Sequence, residues 1–237
     1  MPHCGAGEIR HTCRENLKKG ADLLKLFITP GVPDPASTFV PSFLSLEEIS
    51  AAVSEGARLG IPTAAHCIGG QGLKDCIDGG VDVIEHMYMA SEQDVERLAA
   101  SRCVVDLTSG IFLDPSREEF LSPANALKVR LNRSRVRENV ARIIKARLPF
   151  VLGTDAYHGF LYREVGYAVE LGAAPVTAIQ GVTSRAARVC RLEDRIGKLE
   201  NGMEADIIAV EGNPLEDVSR LSQVGLVMKG GVVYRQP

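Results

Sequence analysis

The chain has 237 residues, 27 Lys and Arg against 30 Asp and Glu, and a formal net charge of -3. With 45% hydrophobic and 24% charged residues it has the composition of a globular protein with a sizeable core, in one large domain or two modest ones. The near-balanced charge excludes a dedicated nucleic-acid binder, and no apolar run approaches the roughly 18 residues of a membrane span.

Ile9, Cys13 and Leu17 recur at helical spacing between Glu8 and Lys19. Leu23 to Phe27 reads as a short strand. Thr29 to Phe43 carries four prolines and reads as a long loop. Ser45 followed by Glu48 has capping-box spacing and opens a helix to about Leu59. Strand and helix then alternate. The strands are Pro62–Ala65, Val81–Ile84, Cys103–Leu107 and Phe150–Gly153. The helices lie near Leu73–Ile77, Ser91–Ala100, Ser134–Ala146 and Tyr162–Leu171. Such alternation predicts a parallel sheet covered by helices, with strands largely apolar because both faces are buried. After Gly181, Thr183 to Val189 ends a helix. Ala205–Val210 and a hairpin turning at Gly230-Gly231 then predict a small β module.

Six cysteines are dispersed without a C-x-x-C pair, and the N-terminal residues show no apolar signal region. Reduced thiols and a cytoplasmic location are the expectation.

Lys25 lies within one strand segment, and His66, His86 and Asp155 lie at the ends of three others. Taken singly these are ordinary: a snorkelling lysine, hydrogen-bonded histidines, an aspartate capping a helix. Together they place metal chemistry along successive βα units, at the C-terminal rim where parallel barrels carry their sites.

The segments GADLLKLF, AAHCIGG, GVDVIEHMYM, VLGTDA and GKLENGMEADIIAVEGNPLEDV resemble the metal-dependent amidohydrolase superfamily, in its imidazolonepropionase-like and Xaa-Pro dipeptidase-like branch. The resemblance covers essentially the whole chain. It implies an α/β fold: strands four to eight of a (β/α)8 TIM barrel in residues 1–190 and the C-terminal part of a β-sandwich in 191–237. It implies one or two divalent metals, usually Zn2+, held by Lys25, His66, His86 and Asp155, with Lys25 carboxylated if the centre is binuclear. It implies hydrolysis of an amide C–N bond in dipeptides or cyclic amides by a metal-bound hydroxide, with Asp155 as the catalytic proton shuttle. Tyr88, Tyr157 and His158 are candidate substrate contacts; for His158 a loop histidine in water is an equally good reading. Glu85 is expected to point away from His86, and Cys67 to pack in the core.

One part of the pattern is missing. The superfamily's strand-one His-x-His occurs nowhere, and only 24 residues precede Lys25. The expectation is therefore a C-terminal portion of such an enzyme. By itself it should bind metal weakly or as one ion, self-associate through open strand edges or require a missing N-terminal half, and hydrolyse poorly. A non-catalytic fragment is the alternative. Small-molecule or dipeptide substrates are expected, with no nucleic-acid or membrane partner.

Overall fold

The computed structural model describes residues 5–155 and 158–236. The elements run α1 (Ala6–Lys18), β1 (Leu24–Phe27), α2 (Leu46–Ala57), β2 (Thr63–Cys67), α3 (Gly70–Asp78), β3 (Val83–His86), α4 (Glu92–Ala99), β4 (Val104–Leu107), α5 (Gly110–Leu113), α6 (Pro123–Lys145) and β5 (Phe150–Leu152). They continue with α7 (Leu161–Glu170), α8 (Pro175–Gly181), α9 (Ser184–Val189), β6 (Ile207–Val210), β7 (Val224–Lys229) and β8 (Val232–Arg235). Three 3₁₀ turns, Pro115–Phe120, His158–Phe160 and Val218–Ser222, lie between them.

Strands β1 to β5 form one parallel sheet in sequence order. This is the parallel arrangement that strand–helix alternation demands, because parallel neighbours need a crossover helix between them, and the sequential order is that of a partial barrel. Strands β6 to β8 form a separate antiparallel sheet, its last hairpin turning through Gly230 and Gly231.

Sequence chemistry explains the helix positions. Ser45 accepts a hydrogen bond from the Glu48 backbone N–H while the Glu48 carboxylate accepts from the Ser45 N–H, closing the capping box that starts α2. Helix α6 begins eleven residues earlier than its periodicity predicts, because Ser122 caps it and Pro123 sits where a missing N–H costs nothing. Its basic run is a charged face: Arg130 and Arg133 pair with Glu118, and Arg137 with Glu170.

The core lies between the sheet and its helices. Ile49, Leu73, Ile84, Val105, Leu107 and Ile143 are fully buried, each contributing roughly 1.5–3 kcal/mol. Leu24 and Leu26 of β1 face this layer, whereas Lys25 and Phe27 face the opposite, open side. All five residues of β2 are buried. Among the described residues β1 pairs only with β2, which is why its outer face alternates while β2 does not.

Candidate functional site

The register of the parallel sheet sets the rim. Phe27 lies opposite His66, His66 opposite Glu85, and Glu85 opposite Asp106. In-register residues of a parallel sheet share a face, so His66, Glu85 and Asp106 are neighbours on the open side. Lys25, two residues before Phe27, reaches up to the same level: its Nζ is 2.5 Å from Glu85 Oε2.

Strand alternation should send His86 to the helix side, opposite Glu85. It does not, because His86 and Met87 both adopt positive φ, 77° and 54°. The chain turns as the strand ends, and the His86 ring comes to lie 4.4 Å, centroid to centroid, from that of His66. Its Nε2 is 3.7 Å from Glu85 Oε2. The expectation that Glu85 points away from His86 is thus corrected. Left-handed backbone is uncommon outside glycine and marks places where the surroundings dictate the turn.

Each imidazole is held from behind. His86 Nδ1 is 2.7 Å from the Thr108 hydroxyl, and the Tyr88 hydroxyl donates to the Thr108 carbonyl at 3.0 Å. His66 Nε2 lies 3.2 Å from the Pro30 carbonyl, which can only accept, so the proton sits on Nε2. The Phe27 ring stacks on His66 at 4.1 Å. Burial lowers the pKa of both rings. For His86 the nearby His66 and Lys25 add to it, and the value falls to about 3. Both imidazoles are therefore neutral at physiological pH, the state in which imidazole binds metal.

Asp106 was not anticipated. Its Oδ1 is buried without a hydrogen-bond partner among the described residues. Desolvation first, then the charge of Glu85, raises its carboxyl to about 7. Gly153 at the end of β5 makes room for it, since a Cβ there would meet both Asp106 oxygens at 3.0–3.1 Å. The signal was present in the sequence: a carboxylate between the buried Val105 and Leu107 of an apolar strand has to face something other than the core.

The residues singled out in sequence fall as follows. Lys25, His66 and His86 are brought together as described. Asp155 follows β5 with φ 47°, is exposed, and its charge reaches His66 and Asp106. Tyr88 is only 2% exposed, with its ring edge-on to Phe112 and its hydroxyl engaged by Thr108. It braces His86, and a substrate contact was expected of it. Tyr157 lies outside the described residues, as does the side chain of His158. Cys67 belongs to the core. The proline-rich loop packs over the rim through Pro30 and supplies the Pro33 carbonyl to Asn132 of α6.

Among the described residues no three His, Cys, Asp or Glu side chains close around one point as metal ligands. The donor chemistry nonetheless fits a divalent cation. Two neutral imidazoles lie side by side, and next to them the Glu85 carboxylate pairs with Lys25 while Asp106 keeps one buried oxygen unsatisfied.

The Amidohydrolase family pattern matches residues 3–233. An ochratoxinase from Aspergillus niger is 32% identical over 248 aligned positions, which cover 98% of this chain and 50% of that protein. An imidazolonepropionase from Desulfotalea psychrophila is 24% identical over 179, covering 71% of this chain and 38% of the other. A crystal structure of a Xaa-Pro dipeptidase with bound methionine superposes with a TM-score of 0.87 at 31% identity, covering 98% of this chain and 59% of that one. The chain thus spans about half the length of the ochratoxinase it matches.

Proposed function

Since this chain belongs to the amidohydrolase family, we propose that its β1–β5 rim is the site of a metal-dependent hydrolase of amide C–N bonds. The observation that carries the proposal is the pair of buried, neutral imidazoles, His66 and His86, held against each other at the strand C-termini beside Lys25. The site-bearing barrel portion is residues 1–190 and the sandwich portion 191–237. Relatives named Xaa-Pro dipeptidase and imidazolonepropionase support dipeptides or cyclic amides as the substrate class.

His66, His86, Asp155 and Lys25, the last as its carbamate if two ions are held, would hold one or two divalent ions, of which zinc suits imidazole best. Such an ion supplies Lewis-acid charge that polarises the scissile carbonyl and makes water a competent nucleophile near neutral pH. The protein does the remainder. Thr108 and Tyr88 fix the His86 ring, and Pro30 fixes the His66 tautomer. Phe27 covers one face of His66 and keeps water from it. Asp155, exposed at the rim, takes a proton from the attacking water and delivers it to the leaving amine. A second reading, metal binding without turnover, is favoured by the Lys25–Glu85 ion pair, in which Glu85 occupies the Lys25 side-chain nitrogen.

Incubation of the purified chain with Xaa-Pro dipeptides and cyclic amides, with Zn2+ or with EDTA, separates the two. Release of free amino acid, or ring opening of the cyclic amide, that EDTA abolishes supports hydrolysis. Stoichiometric zinc binding with no product supports the second reading.

A further inference from the structure

Behind the turn that carries Asp155 lies a buried charged cluster that no step above uses. Arg117, in the 3₁₀ turn Pro115–Phe120, is 0% exposed. Its Nη2 donates to Glu164 Oε1 of α7 at 2.9 Å, and its Nη1 donates to the Thr154 carbonyl at 3.2 Å. Thr154 immediately precedes Asp155. Five residues after Asp155 in sequence, the Phe160 ring centroid lies 5.5 Å from the Arg117 guanidinium carbon, within cation–π range.

The partners of Arg117 are fixed in turn. The Glu164 carboxylate accepts the Gly110 N–H at 3.0 Å to both oxygens, tying α7 to the segment after β4. Gly110 has to be glycine, because a Cβ would stand 2.4 Å from Glu164 Oε1 and 2.5 Å from the guanidinium carbon. Asp114 accepts from Arg163 Nη1 at 2.6 Å, and Arg163 lies over the Phe160 ring at 4.4 Å. Two arginines and two carboxylates thus grip the chain on both sides of Asp155.

A buried ion pair is a poor way to stabilise a core, since apolar residues of the same volume usually serve as well. What apolar residues cannot do is donate a hydrogen bond to the carbonyl before a residue held at φ 47°. We infer that Arg117 is a positioning residue for Asp155: its bond to the Thr154 carbonyl, aimed by Glu164, holds the left-handed turn that presents the Asp155 carboxylate to the rim. This rests on the role proposed above for Asp155. Outer partners that orient a metal ligand commonly contribute ten- to hundredfold to affinity.

The test is a titration of the full chain with Co2+ alone, whose visible absorption reports both affinity and ligand set. The variants are Asp155→Asn, the double variant Arg117→Met/Glu164→Gln, which leaves no uncompensated buried charge, and Ser45→Ala, which weakens the remote α2 cap. The double variant should raise the Co2+ Kd at least tenfold and give the spectrum of Asp155→Asn. Ser45→Ala should keep the wild-type Kd and spectrum in spite of its lower Tm. If Asp155→Asn weakens binding but the double variant stays below tenfold, the role of Arg117 is overturned while that of Asp155 stands. If Asp155→Asn leaves the Kd unchanged, or the wild type binds no Co2+, the reading of the site fails and the inference with it. Should the double variant not fold, Arg117→Lys replaces it. Its mobile ammonium lacks the planar fork that fixes Glu164 and the Thr154 carbonyl together, and the same tenfold threshold decides.

Discussion

Lowering the pH of the metal-free chain from 7.5 to 5 is expected to cost it ~2 kcal/mol through His86 alone. In the folded chain this ring titrates near 3, against 6.5 for an unperturbed histidine, because it is buried and faces His66 and Lys25. Between those values the unfolded chain binds a proton that the folded chain refuses, so stability falls as the pH drops below 6.5. At pH 5 the unfolded ring is about thirtyfold more protonated than neutral, which is the source of the ~2 kcal/mol figure. Asp106 and Glu164 act in the opposite direction. Both are raised to about 7 by burial, so the folded chain takes up protons first and gains stability as the pH falls. The single-residue term therefore has to be read as a difference. Urea unfolding of wild type and His86→Gln in EDTA, at pH 7.5 and pH 5, isolates it. Wild type should lose ~2 kcal/mol more than the variant over this interval. Equal pH slopes would show that His86 is charged or solvated in the folded chain, and the argument for a neutral metal-binding imidazole would fall.

Ser45→Ala should lower stability by about 1 kcal/mol, read in urea unfolding, because it removes the acceptor that closes the α2 capping box. Gly110→Ala should be far more damaging, a loss of several kcal/mol or no soluble product, since its methyl group would occupy space held by Glu164 and Arg117; a soluble variant of wild-type Tm would contradict the described packing. Zinc at a hundred times its Kd should add about 2.7 kcal/mol to stability, seen as a rise in Tm that EDTA reverses and that His66→Ala removes. Leu23, just before β1, and Phe27, at its end, are 44% and 55% exposed, and the outer edge of β1 is unpaired among the described residues. Size-exclusion chromatography should therefore show self-association, and Leu23→Lys should reduce it.

The repeated strand–helix alternation made the parallel sheet legible, and the hydrophobic rows of α1 and the Ser45–Glu48 spacing made two helices legible nearly to the residue. The first half of α6 was not, because its apolar residues do not keep to one face: Leu127 and Leu131 are exposed while Asn132 is buried, and only the Ser122-Pro123 pair marks the start. In the site, Lys25, His66 and His86 were visible as a pattern, but their arrangement was not. Strict alternation puts Glu85 and His86 on opposite faces, and only the positive φ at His86 brings both to the rim. The same rule correctly sends Cys67 to the core, because β2 continues as a regular strand through that residue. Tyr88 follows His86 closely in sequence and so resembled a substrate contact, yet its ring turns inward to Thr108 and Phe112. Arg117 and Glu164 lie 47 residues apart in the chain, and no local pattern announces their pairing.

The claim that the His66–His86 rim is a metal site is tested most directly by anomalous diffraction at the zinc edge from crystals of the chain soaked in zinc. The account predicts a peak within coordination distance, roughly 2.0–2.1 Å, of an imidazole nitrogen of both His66 and His86. Zinc peaks confined to surface residues, with that rim empty at saturating metal, would contradict it.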